Sequence, residues 1–431
     1  MTPDHAFIVA SEAMLGLAAA TAAVWMSVVR PRLLLYVTLA LAPTQFLFVP
    51  IASFFLSPAD GLVIGSLAGM FWRLARGKRS GWEALWQHRW LAMMIFAYII
   101  GFVVLGVFSR TIVRPALAII PSILTCELLR SRTHLARAAM AVAAAGIIDA
   151  AFGLLTLGHG GLSGRFGGLG GPNFSAIAIT SAAVITCATV ARTTQPARLA
   201  VPGTLTGLSL ATLSQTGVAS LLGAWFAVLH WVVSRENKRW LLIGAAALAA
   251  LALSQSAIRD RLVERNQRGV QNDGMSRNSA DVRLLVLRMI GRGVSESPLF
   301  GVGYAQFQPF SSNDPEIYAS TGGTGYGTHN TYLEVLVEGG LFALVPFLLH
   351  FAQYGRGLRF AWHAMVKQHD VVVAAAFAAL PVVAISAALT NVLLFYSFWA
   401  ICGLALACVN VLVAENRREG VVPLRAVGAT A

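Results

Sequence analysis

The sequence predicts an all-α, polytopic membrane protein with about 12 (12–13) transmembrane helices and one large loop outside the cytoplasm that carries amphipathic helices. The first observation is composition, since 57% of the 431 residues are hydrophobic and only 12% are charged. A soluble domain carries about 25% charged residues, so this chain lacks the polar surface of a water-soluble body. The second is that apolar windows of roughly 20 residues, the length of a spanning helix, recur almost from end to end. The third is the placement of basic residues between those windows.

Thirteen apolar runs are candidate spans, with approximate bounds of 6–29, 33–56, 59–73, 90–108, 112–129, 138–157, 173–191, 198–213, 216–233, 239–257, 329–350, 371–390 and 393–413. Pro43, Pro50 and Pro58 interrupt the early region. Proline breaks helices, so we expect one re-entrant element there, about twelve spans and both chain ends in the cytoplasm. If all thirteen runs span, the N-terminus lies outside instead. The first run has no cleavage-site pattern and is expected to be retained.

The formal net charge of +13 is explained by orientation in a membrane. Short clusters of Lys and Arg follow every second apolar run, as the positive-inside rule requires of cytoplasmic loops. This pattern gives no reason to expect a nucleic-acid partner. The four cysteines all lie inside apolar runs with no metal-ligand or disulfide spacing, so we interpret them as packing residues: Cys126, Cys187, Cys402 and Cys408.

We expect a single integral membrane domain in four parts. These are N-terminal transmembrane helices, a large external loop, C-terminal transmembrane helices and a cytoplasmic tail, at residues 1–257, 258–328, 329–413 and 414–431. Loops longer than about 15 residues are usually functional or disordered.

The pattern inside the large loop is helical. Leu284, Leu287 and Ile290 recur at helical spacing after Ser279, a candidate N-cap. The preceding segment 257–269, AIRDRLVERNQRG, is typical of a second short helix. We expect both helices to lie over the membrane face.

Several segments follow one another in an informative order. Arg283 precedes SPLFGVGYAQF at 297–307 and STGGTGYGTHNTYLEVLVEGGLFALVPFLL at 320–349. Upstream stand GRFGGLGGPNFSA at 164–176 and LATLSQTGVASLL at 210–222. In this order and spacing the chain resembles the O-antigen ligase/polymerase family over most of residues 160–350. One position departs from the family pattern, since Gln215 stands where an arginine is usual.

The resemblance implies an inverting, metal-independent glycosyl transfer without a cofactor. A glycan on undecaprenyl diphosphate would move to an acceptor hydroxyl at the periplasmic face of the bacterial inner membrane. The acceptor would be lipid A–core for a ligase or the growing polysaccharide for a polymerase, with membrane lipids around the protein. The residues agree, because the sequence contains no Walker A motif and no paired-aspartate or His/Cys metal pattern, which leaves the activated donor as the energy source.

Two residues are the candidates for catalysis. Arg283 matches the family's arginine, and a guanidinium stabilises a departing diphosphate by bidentate hydrogen bonds. His329 opens the next apolar run, where a neutral imidazole can accept the proton of the acceptor hydroxyl. Five further residues are candidates for substrate binding: Arg288, Arg165, Gln215, Asn330 and Glu338.

Each of these residues also has a purely structural interpretation. The arginines could face lipid headgroups, His329 could be an interfacial histidine, and Asn330 could cap the following helix. Glu338 could pair with a buried arginine, since an unpaired carboxylate in the bilayer is costly. The glycine-rich segment 320–327 is either a linker or a mobile cover.

Four activities remain open at this point. Ligase and polymerase are nearly equal, and a protein O-oligosaccharyltransferase would use the same donor. A flippase or exporter is the alternative from another class. We disfavour it because the hydropathy has no repeated halves and the polar residues concentrate in one late loop.

Overall fold

The computed structural model describes residues 21–46, 49–51, 54–107, 112–156, 169, 171–190, 195–212, 214–231, 239, 243, 279–321 and 325–418. These residues are helical except for loops and one short antiparallel ribbon, in which β1 (Val49–Ile51) pairs with β2 (Phe54–Leu56). The predicted all-α fold class is therefore confirmed for the described residues, apart from this ribbon.

Sixteen labelled α-helices follow in chain order. They are α1 (Pro31–Ala40), α2 (Pro58–Ala75), α3 (Arg79–Gln87), α4 (Arg89–Leu105), α5 (Val113–Leu128), α6 (Arg132–Thr156), α7 (Gly171–Val190), α8 (Ala200–Ala211), α9 (Gln215–Trp231), α10 (Ser279–Glu296), α11 (Phe307–Ser311), α12 (Pro315–Thr321), α13 (Thr331–Trp362), α14 (Val371–Ala378), α15 (Leu380–Leu389) and α16 (Tyr396–Arg418). Residues 21–29 are also helical, 3₁₀ turns lie at Ala42–Phe46 and Pro196–Leu199, and a π-helical turn lies at His363–Lys367.

Five helical segments in the described part of the chain are long and apolar enough to cross a membrane: Arg132–Leu155, Gly171–Val190, Thr331–Gly355, Val371–Leu389 and Tyr396–Arg418. The pair α3 and α4, bent by 63°, makes a sixth if it forms one span. The count of about twelve thus stays a prediction, and the run at 239–257 lies almost wholly outside the described residues.

Two apolar runs that the sequence offered as spans are broken in the structure. The run at 33–56 contains α1, a 3₁₀ turn and the β1–β2 ribbon rather than one helix. The break begins just before Pro43, consistent with the interruption that the prolines predicted. In the run at 198–213, α8 has 12 residues. That is about 18 Å of helix, too short for a bilayer core of about 30 Å.

The centre of the described bundle is formed by α7 and α16. Residues Ser175–Ala188 of α7 are all buried, and so are residues Tyr396–Val409 of α16. A helix that is apolar and buried on every side is a core helix. Small residues allow close packing, and Gly403 lies directly against the backbone of Ser122. All four cysteines are free and buried, in agreement with a packing role.

One end of the bundle is held by ion pairs. Arg73 donates to both carboxylate oxygens of Glu127, at 2.7 and 2.6 Å. Arg132 pairs with Glu415 at 2.9 Å and links α6 to α16. We call this set of four residues the ion-paired end.

Candidate functional site

The site begins with α10, the amphipathic helix that the sequence predicted in the large loop. Its buried residues Leu285, Met289 and Ile290 pack against a cluster that includes Phe307 and Val337. This packing attaches the helix to the first turns of α13.

The leucines whose spacing indicated this helix lie mostly outside its buried face. Leu284 is 66% exposed and Leu287 is 48% exposed, so of the three residues in that pattern only Ile290 is buried. The reason is tertiary, because both faces of this helix carry apolar residues and contact with α13 selects one of them. The second helix expected at 257–269 lies outside the described residues.

The segment 298–303 fills a break in α13. Gly340 has non-helical backbone angles (φ 62°, ψ −162°) and interrupts the helix. The N–H groups of Leu341 and Phe342 donate to the carbonyls of Pro298 and Leu299, at 3.0 and 3.2 Å, instead of to the preceding turn.

The carbonyls that this break releases are satisfied by the same segment. Val337 accepts from the N–H of Val302 at 2.7 Å, and Glu338 accepts from the N–H of Gly303 at 3.1 Å. Non-helical backbone within a membrane span is tolerated only when its polar groups are satisfied by protein or water. Four loop hydrogen bonds thus replace the two helical ones that the break removes.

Close approach of the two backbones requires glycine on both sides. A Cβ on Gly340 would lie 2.2 Å from the carbonyl carbon of Leu299, and one on Gly301 would lie 2.3 Å from the carbonyl oxygen of Val337. Both glycines also have positive φ, at 62° and 67°. The glycines of GVG and EGG therefore fix α10 and α13 relative to each other.

Glu338 supports this junction through its side chain. Its carboxylate accepts hydrogen bonds from the backbone N–H groups of Ala305 at 3.0 Å and Phe307 at 3.3 Å. The sequence offered a buried arginine as a structural partner, and the structure has backbone amides in that place. Glu338 is 5% exposed and directly holds the loop.

His329 lies immediately before α13. Its φ of 49° is in the left-handed region, which non-glycine residues rarely adopt. Its ring meets the Tyr326 ring edge-on at 4.8 Å between centroids. Burial, and secondarily the positive charge of Arg283, lower the pKa of His329 below its ordinary value of 6.5. The two candidate catalytic residues therefore share one electrostatic neighbourhood, and the imidazole is neutral at pH 7.

Hydrogen bonds fix the chain around His329. Asn330 accepts from the N–H of Leu333 at 3.0 Å and so caps α13, as the structural interpretation expected. Thr328 donates to the side-chain oxygen of Asn391 at 3.0 Å, and Thr331 donates to the carbonyl of Thr390 at 2.8 Å. The segment between α15 and α16 thus holds the chain on both sides of His329.

The remaining predicted residues differ in what the structure says of them. Arg283 and Arg288 are exposed on α10, and neither forms an ion pair with another described residue. Gln215 is the first residue of α9, and Arg165 lies outside the described residues. Ser214, beside Gln215, donates to the side-chain oxygen of Asn173 at 2.7 Å and connects the start of α9 to α7.

The segment 320–327 is attached to α11 where the structure describes it. The hydroxyl of Ser311 donates to the carbonyl of Tyr326 at 3.0 Å and accepts from its N–H at 2.8 Å. Gly325, with a φ of 72°, lies against the backbone of Gln308. This contact places Tyr326 beside His329.

A cavity of about 280 Å³ adjoins the His329 segment and was not anticipated from the sequence. Asn391, which holds Thr328, lines it. So do four polar residues from different helices: Asp60, Arg114, Glu334 and Tyr396. They come from distant parts of the sequence and share no motif, and their only signal was a charged or polar residue near the start of an apolar run.

No group of three or more His, Cys, Asp or Glu side chains in the described ranges is arranged to hold a metal ion. The described site contains an imidazole, guanidinium groups and carboxylates.

Comparison with known families gives one match. The family model described as O-antigen ligase matches residues 203–348. This range runs from within α8 to within α13 and contains Arg283, the segment 298–303 and His329. No curated protein matches the chain significantly.

Proposed function

Because this chain belongs to the O-antigen ligase/polymerase family, whose members are membrane glycosyl-transfer enzymes, we propose that it transfers a glycan from undecaprenyl diphosphate to an acceptor hydroxyl. The acceptor in our proposal is lipid A–core, which makes the protein an O-antigen ligase. The observation that carries the proposal is the position of His329 at the start of α13, where its ring meets Tyr326 and lies within reach of the charge of Arg283 on α10.

The proposed reaction is a single displacement at the anomeric carbon. The acceptor oxygen attacks, the bond from that carbon to the diphosphate oxygen breaks, and the configuration inverts. His329 accepts the hydroxyl proton, for which it must be neutral. Arg283 stabilises the negative charge that develops on the departing diphosphate, and Arg288 and Arg165 add further cationic contacts.

The remaining candidates have supporting roles in this proposal. Asn330 caps α13 through the N–H of Leu333 and so keeps the first turn of that helix beside the substrate. Gln215 supplies a neutral contact with the substrate at the position where the family usually has an arginine. Glu338 positions the loop, since its oxygens accept from Ala305 and Phe307. The unusual backbone of His329 supports a functional role, because strained residues persist where the surroundings over-determine them.

We place this site at the periplasmic face of the inner membrane. Five helices begin around the cavity beside His329, namely α2, α5, α7, α13 and α16. Basic residues follow or end these helices at the far side, for example Arg76, Arg130 and Arg417. The positive-inside rule puts that far side in the cytoplasm and the His329 side outside. About twelve spans and a periplasmic loop at 258–328 complete the proposed topology.

The decisive test is the surface-glycan profile of a deletion strain complemented with wild-type, His329→Ala or Arg283→Ala protein. We expect both variants to be inserted and abundant but to leave full-length glycan on undecaprenyl diphosphate and bare core outside. Single repeat units on the carrier or core, without a ladder, would identify a polymerase instead. A wild-type profile from either variant would remove that residue from the site.

Metal independence is tested in proteoliposomes of the purified protein. We expect chelators to leave the transfer rate unchanged, because the proposed step uses only side-chain groups. A loss of activity that one divalent cation restores would contradict this part of the proposal.

A further inference from the structure

The cavity beside His329 has two chemically different walls. Three phenylalanine rings pack together on one side, with centroids 5.1 to 5.9 Å apart: Phe46, Phe174 and Phe395. Carboxylates, a guanidinium, amides and a phenol also line it, together with two leucines: Asp60, Glu334, Arg114, Gln45, Asn391, Tyr396, Leu393 and Leu394. Polar groups lined up against an aromatic face suit a ligand that has both hydroxyls and an apolar face.

Most of the polar groups in this cavity have partners within the protein. Both oxygens of Asp60 are used, one by the N–H of Ser57 at 2.7 Å and the other by the hydroxyl of Tyr396. The side chain of Gln45 bonds the backbone of Leu394 and Tyr396. These contacts hold the wall of the cavity in place.

Glu334 is the exception. It lies one turn into α13, and its Oε2 atom is buried and accepts no hydrogen bond from any residue that the structure describes. A buried acceptor without a donor costs about 1–3 kcal/mol, and more when it is charged. Glu334 belongs to the lining of the cavity, so a ligand there can supply the missing donor.

The nature of the lining restricts the class of ligand. A diphosphate diester has no proton to donate at neutral pH, and the carboxyl groups of Asp60 and Glu334 offer it no cation. A bare metal ion is opposed by the guanidinium of Arg114. A neutral polyol satisfies both kinds of group, because each hydroxyl donates to a carboxylate and accepts from a guanidinium or a helix N-terminus.

The size of the cavity restricts the ligand further. Its volume of about 280 Å³ is just below the range of about 300–1,000 Å³ that holds drug-sized ligands. One sugar ring is a ligand of that size and chemistry. We propose that this cavity is a subsite for one sugar ring of a glycan, with Glu334 accepting from a ring hydroxyl and the phenylalanines packing against the C–H face of the ring.

This inference rests on the proposed function for the source of the sugar, which is either the donor glycan or the acceptor. The binding test does not depend on transfer. It titrates full-length protein in nanodiscs with the repeat-unit oligosaccharide of the host strain, released from its carrier. Two variants at Glu334 and a matched control, Glu83→Gln, are compared, since Glu83 is an exposed carboxylate paired with Arg130 far from the cavity.

We expect Glu334→Gln to weaken oligosaccharide binding about tenfold and Glu334→Leu about a hundredfold, because glutamine alters and leucine removes the hydrogen-bonding group offered to the ring hydroxyl. Glu83→Gln leaves binding unchanged. Glu334→Leu should also raise the melting temperature, because it removes an unsatisfied buried acceptor. A carboxylate with a structural role would lower it, so the two signs separate binding from folding.

Steady-state kinetics then identify the source. A higher KM for the carrier-linked glycan alone in Glu334→Gln assigns the subsite to the donor, and a higher KM for the acceptor alone assigns it to the acceptor. Absence of oligosaccharide binding to the wild type, or equal binding by Glu334→Gln, overturns the subsite. Failure of the proposed function has a different signature, because deletion of the protein would then leave the surface-glycan profile unchanged.

Discussion

The ion-paired end of this molecule can be compared with the end that contains α10, His329 and the adjoining cavity, which we call the loop end. The two ends use the same residue types in opposite ways. At the ion-paired end, Arg73 and Glu127 satisfy each other through two hydrogen bonds. At the loop end, Arg283 has no ion pair with a described residue, and the Oε2 atom of Glu334 has no donor among them. Charged groups in a membrane protein are costly unless satisfied. The comparison teaches that satisfied charges stabilise the bundle, while unsatisfied ones indicate where a ligand belongs.

The largest contrast should come from removing one charge at each end. Glu127→Ala leaves Arg73 partly buried without its carboxylate, and breaking such a pair costs about 3–5 kcal/mol of stability. Arg283→Ala removes an exposed charge, so stability should change by no more than about 0.5 kcal/mol. Its transfer rate should nevertheless fall about 10²–10³-fold. Melting temperature and transfer rate, measured on both variants, check the contrast, and equal destabilisation would break it.

A second prediction concerns the junction that orients the loop end. Gly340→Ala places a methyl group against the backbone of Leu299 and a side chain at positive φ. We expect loss of stability by about 1–3 kcal/mol and a lower transfer rate, because α10 can no longer dock in the same position. Thermal unfolding in detergent and transfer in proteoliposomes measure the two effects. An unchanged variant would mean that the helix break is not required.

The pH dependence sharpens the role of the charges at the loop end. The pKa of His329 lies below 6.5, so the base is neutral at pH 7 and becomes protonated only in more acidic solution. The transfer rate should therefore be flat near neutrality and fall about tenfold per pH unit once the pH is below that pKa.

The residual activity of Arg283→Ala adds an internal control to this profile. Removing the arginine charge raises the pKa of His329, so the acid limb should move to higher pH. An acid limb at the same pH in both proteins would show that the two residues do not interact.

The smallest expected effect is at Gly291, the control for the junction glycines. A Cβ there meets nothing within 4 Å, and the residue is exposed in the middle of α10. Alanine should stabilise the helix by about 0.5–1 kcal/mol without changing the transfer rate. A loss of transfer with intact folding would instead mark this surface of α10 as a contact for substrate.

The sequence alone was sufficient for the class of fold and for part of the site. Composition and apolar runs predicted a helical membrane protein, since lipid requires backbone groups to be satisfied within each segment. The order and spacing of Arg283, the GVG segment and His329 indicated the O-antigen ligase/polymerase family, and the O-antigen ligase model matches residues 203–348. The sequence offered Asn330 as a cap because it stands just before an apolar run, where an asparagine side chain can accept from the first free N–H groups of a helix.

The tertiary structure decided what depends on contacts between distant residues. It selected the buried face of α10, because packing on α13 distinguishes two similarly apolar faces. It gave Glu338 two backbone amides instead of an arginine, because the break at Gly340 brings the loop into the helix. It also gathered Asp60, Glu334 and Tyr396 around one cavity. The spacing of residues in the sequence indicates which side chains share one face of a helix. The cavity, in contrast, forms where several helices begin close together, and these helix starts meet only in the folded chain.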